Sequence, residues 1–84
     1  MSMNIKEFDV VIDRMRLALE TAKNLGHSIE QAKILYQMNE FLPPSMQIPL
    51  DDADDENMAK QIVSLYKSQI NSKISEFREQ LMLN

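Results

Sequence analysis

Residues able to do chemistry are few in this chain, and their spacing settles most of what they could do. His27 is the only histidine, and there is no cysteine. Acid–base or nucleophilic catalysis needs a positioned pair or triad. His27 has only Ser28 beside it, which makes a sequence neighbour and not a Ser–His geometry. One glycine, Gly26, leaves no glycine-rich loop to cradle a phosphate. Without cysteine there are no disulfides, thiolate nucleophiles or Cys-based zinc sites. The expectation is a protein that is not an enzyme, with no cofactor and no small-molecule substrate.

The acidic run "DDADDE", Asp51–Glu56, holds five of the thirteen acids and invites a test as a cation site. A calcium-binding EF-hand loop wants acids at positions 1, 3 and 5, glycine at 6 and an acid at 12. Starting at Asp51, position 3 is Ala53, position 6 is Glu56 and position 12 is Ile62. Starting at Asp52, positions 6 and 12 are Asn57 and Val63. Both registers lack the glycine and the bidentate acid, so no metal is expected. Carboxylates also favour the positive end of a helix dipole, and Asp51, Asp52 or Asp54 is the expected cap of a helix beginning here.

The joint Gly26–Ser28 has the punctuation of a helix-turn-helix. If the following helix entered a DNA major groove, it would offer Glu30, Lys33, Gln37 and Glu40. Two carboxylates there oppose phosphate, and no basic cluster or aromatic platform accompanies them. Nucleic acid is therefore not the expected partner, and a DNA-binding transcriptional regulator stands as the alternative function.

The elements that must position these residues read as all-α. Ile5, Phe8, Ile12, Met15, Leu19 and Ala22 recur at spacings of three and four, which predicts an amphipathic helix over about 4–25. Asn4 caps it, with Glu7 as capping-box partner, and Gly26 ends it in a left-handed conformation. Val10 and Leu17 fall on its polar side, one above the other. A second helix is expected over about 28–41, capped by Ser28 with Gln31, and stopped before Pro43. It is apolar nearly all round, so its own connector or another chain must cover it. A third helix is expected over about 53–82, with an apolar face that narrows to Ile70, Ile74, Phe77 and Leu81.

Between the last two helices an extended connector, about 42–52, is stiffened by Pro43, Pro44 and Pro49. Met46, Ile48 and Leu50 alternate with Gln47 and Pro49 along it, giving a strap with one apolar side. Its target is either its own helices or a partner.

The expected architecture is one domain, 1–84: a three-helix antiparallel arrangement of two shorter helices, the connector and a long C-terminal helix, completed by dimerisation. The third helix spans roughly 43 Å and the first roughly 33 Å at 1.5 Å per residue, so an antiparallel packing leaves an overhang suited to a coiled-coil contact with a second copy. The 84 residues carry a net charge of −4 and are 44% hydrophobic, an ordinary globular composition. No apolar run reaches the ~18 residues of a membrane span, and the N-terminus lacks an apolar leader segment, so a cytoplasmic location without membrane contact is expected. Seven methionines suit adaptable contact faces.

The function expected from these features is a small helical protein-interaction module: a homodimeric regulator, inhibitor or accessory factor that binds another protein. A bacterial or phage source matches this style of chain. The expected contact residues are Val10, Leu17, Met46, Ile48, Ile70, Ile74, Phe77 and Leu81.

Overall fold

The computed structural model describes residues 4–83, which form three α-helices: α1 (Ile5–Asn24), α2 (Ser28–Glu40) and α3 (Glu56–Leu83). No strand occurs among the described residues. The all-α, three-helix arrangement read from the sequence is what the chain adopts.

Local chemistry sets each boundary. The Asn4 Oδ1 accepts the Glu7 backbone N–H at 2.9 Å, and its side-chain amide donates to the Glu7 carboxylate at 3.1 Å. α1 ends in a Schellman motif. The His27 N–H donates to the Ala22 carbonyl at 2.9 Å and the Gly26 N–H to the Lys23 carbonyl at 3.0 Å, closing over Gly26 at φ 71°.

Two expected caps are corrected. The N-cap of α2 is His27, whose side chain makes no capping bond. The backbone leaving the left-handed Gly26 turns at His27, whose carbonyl takes the first helical bond from Gln31, so Ser28 is already inside the helix. α3 starts later than expected. Asp55, not Asp51, Asp52 or Asp54, accepts the Met58 N–H at 2.8 Å, and the residues before it belong to the connector.

α2 is the central element. Ala32, Ile34, Leu35 and Met38 are buried on it, which accounts for its nearly all-round apolar character. α1 packs on one side of it and α3 on another, while α1 and α3 touch each other little. The connector covers a further side. It makes one 3₁₀ turn at Pro44–Met46, then runs extended. The Ile48 N–H donates to Asn39 Oδ1 at 2.9 Å, and Asn39 Nδ2 donates to the Ile48 carbonyl at 2.8 Å. Gln47 Nε2 donates to the Leu42 carbonyl at 2.9 Å.

The connector runs back along α2 to the far end of that helix. Glu56 at the start of α3 lines the same shallow recess as Gly26–Glu30. At the opposite end Phe8 stacks on Phe41, with ring centroids 5.6 Å apart, and meets Phe77 edge-on at 5.5 Å. α2 and α3 therefore point the same way and α1 opposes both. A short loop would have forced α2 and α3 antiparallel; this long connector permits the return.

Candidate interaction surface

The contact residues expected from sequence separate into two groups. Ile70 and Ile74 are 0% and 1% exposed, inside the chain's own core. Phe77 and Leu81 are half-buried against that core, Phe77 on Phe8. The seam expected to meet a second copy is thus spent within the chain, because the end of α3 lies against the start of α1. Met46 and Ile48 also pack on their own core, so the strap binds its own helices, with the Asn39 amide holding the Ile48 peptide on both sides.

Val10 and Leu17 do stand free, 51% and 69% exposed, and Leu25 joins them at 62%. They sit on α1 because its core stripe, centred on Phe8, Ile12 and Leu19, turns the opposite side outward. Leu25 owes its exposure to the Schellman turn: as the C-cap it lies beyond the last turn that packs on α2. α1 and α2 enclose an open groove of about 450 Å³, lined by Leu17 of this stripe, by Ala18, Leu25 and Ile34, and by the polar Arg14, His27 and Glu30. Ile34 is almost fully buried and forms part of the floor.

The sequence pattern marked Val10 and Leu17 but not the groove. Leu25 and Ile34 lie on different helices, and only the angle between α1 and α2 decides that they line one groove. Asn39 was missed as well. The signal for it exists: Leu35, Asn39 and Leu42 recur at i, i+4, i+7, so a lone amide interrupts a buried stripe and must find backbone partners.

The electrostatics are local. Arg78 makes a two-pronged pair with Asp9, Nε to Oδ1 at 2.8 Å and Nη2 to Oδ2 at 2.9 Å, tying the end of α3 to the start of α1. The Arg78 hydrogen bond holds the Asp9 carboxyl below its ordinary value. The Tyr36 hydroxyl is buried with no hydrogen-bond partner among the described residues. Burial raises its pKa first, and the carboxylates of Asp52, Asp51 and Asp54 raise it further.

Among the described residues, no group of three or more His, Cys, Asp or Glu stands close enough to hold a metal ion. Asp51, Asp52, Asp54, Asp55 and Glu56 are all exposed and spread along connector and helix start. None of the described helices is long and apolar enough to cross a membrane. No protein-family model, curated protein or solved structure matches the chain.

Proposed function

We propose that this protein is a non-catalytic helical interaction module, acting in the cytoplasm, that binds another protein and regulates it through the outer face of α1 and the groove beside it. One observation carries the reading: Val10, Leu17 and Leu25 form an exposed apolar stripe over a groove floored by Ile34. Scattered exposed leucines are ordinary. A row of them along one helix, joined to a groove, is the form that protein-binding faces take.

A DNA-binding role for the Gly26 joint has no such support. The side of α2 that would face DNA carries Glu30, Lys33, Gln37 and Glu40, and Lys33 is already within 3.5 Å of Glu30. That leaves no free cation on the strip to meet phosphate.

A photo-crosslinking residue placed at Leu25 in the native host tests the proposal. The expected result is a covalent adduct with one other protein, absent when the same group is placed at the exposed Glu79 on α3. Equal adducts from both positions, or none from Leu25, would overturn it.

A further inference from the structure

We infer that the seam formed by Val10 and Leu17 is covered by a second copy of this chain, with the two α1 helices side by side and parallel about a two-fold axis. The inference rests on the reading that the outer face of α1 is a contact surface, and it assigns one occupant to part of that face. Leu17 and Arg14 also line the groove, so the second copy covers that edge and leaves the part at Ala18, Leu25 and Ile34 open for the other protein.

The seam points directly away from the core. At 100° per residue, Leu17 lies about 160–180° from Leu19 and Phe8, and both seam residues are more than half exposed. Val10 and Leu17 are seven residues apart and superpose within about 20°, the spacing that keeps two helices in register.

Charge decides between occupants and between orientations. Lys6 and Asp13 stand on one flank of the seam, Glu7 and Arg14 on the other. Lys6, Asp13 and Arg14 have no ion-pair partner within the described residues. In a parallel pair, each flank faces the opposite flank of the second copy. Lys6 then meets Glu7 and Asp13 meets Arg14, each contact occurring twice. In an antiparallel pair that sets Val10 on Leu17, each flank faces its own kind: Lys6 meets Glu20, but Asp13 meets Asp13 and Arg14 meets Arg14 of the second copy. The alternation Lys-Glu then Asp-Arg at a seven-residue step is therefore free of like-charge contacts in the parallel orientation only.

A contact one helix wide falls short of the ~1,200–2,000 Å² buried by stable interfaces. The association is accordingly weak.

The cysteine-free sequence makes the orientation measurable. Val10→Cys, oxidised mildly at high concentration, is expected to form a disulfide-linked dimer through its own counterpart far faster than Glu79→Cys. Faster crosslinking in a mixture of Val10→Cys and Leu17→Cys would indicate the antiparallel pair and overturn the inference. So would crosslinking no faster than the Glu79→Cys control.

Sedimentation equilibrium supplies a second readout, with helicity confirming that each variant is folded. Asp13→Arg turns two attractions into repulsions and should weaken association about tenfold. Asp13→Arg with Arg14→Asp should restore it to within about threefold. Identical association of both variants and the unaltered chain would overturn the inference. A chain that stays monomeric while Leu25 still captures another protein defeats the second copy and leaves the proposed function standing. Dimerisation without a Leu25 adduct to another protein does the reverse.

Discussion

Asn39 shows how one side chain decides a long segment. Its amide has an acceptor and a donor; the oxygen accepts the Ile48 backbone N–H and the nitrogen donates to the Ile48 carbonyl. The residue is 6% exposed, so removing the amide leaves backbone groups short of partners. Asn39→Ala should lower stability by about 1–3 kcal/mol, and amide exchange at Ile48 should accelerate more than exchange at Leu35. Equal acceleration at both would mean that the clamp does not hold the strap separately from the fold. Tyr36 is the opposite case. Its hydroxyl is buried without a partner among the described residues, a cost with no return, so Tyr36→Phe should raise stability by about 1 kcal/mol in denaturant melts. The sign of its titration follows from the raised pKa. Holding the phenol neutral contributes stability below the ordinary value of 10.0, and that contribution is lost as pH climbs through the raised value. Tyr36→Phe should remove this part of the alkaline destabilisation.

At the scale of elements, the punctuation of the sequence was readable and the direction of the strap was not. Gly26, Asn4 and the proline-bounded end of α2 act through local backbone rules, which a sequence displays directly. The apolar alternation Met46, Ile48, Leu50 also showed that the connector has an inner side. What it packs against depends on Asn39, nine residues away, and on the apolar circumference of α2, and no local rule links those. The cap of α3 was misplaced for a related reason. Four aspartates compete for one role, and the path of the strap decides which of them reaches the helix start. The strap makes a definite prediction. Ile48→Asp puts a carboxylate against the core that Ile48 packs on and should destabilise the fold by roughly 1–3 kcal/mol. An unchanged melting temperature with the same helicity would show that Ile48 contributes nothing on its own chain.

At the scale of the whole molecule, α2 packs against both neighbours while α1 and α3 meet at one end only. Their meeting point is Phe8 against Phe77 with Asp9 against Arg78 beside it. The periodicity puts Phe8 and Phe77 on two apolar stripes, and Asp9 and Arg78 are their chain neighbours. Nothing in either stripe shows that residues 69 positions apart share one end of the molecule, because that follows from the parallel course of α2 and α3. The last turns of α3 therefore depend on a small, identifiable set of contacts, one of which responds to acid. The folded pKa of Asp9 is lowered by the Arg78 hydrogen bond, so the pair contributes stability above the ordinary carboxylate value of 3.8. That contribution is lost as pH falls through the depressed value. Below pH 3.8, amide exchange over residues 75–83 should rise before exchange at Leu35 and Met38 does, as the end of α3 separates from α1 while α2 stays packed. Asp9→Asn should show the raised exchange at neutral pH and lose the added acid response. If residues 75–83 and the α2 core open together at every pH in both proteins, the three helices unfold as one unit, and the Asp9–Arg78 pair does not control the end of α3 on its own.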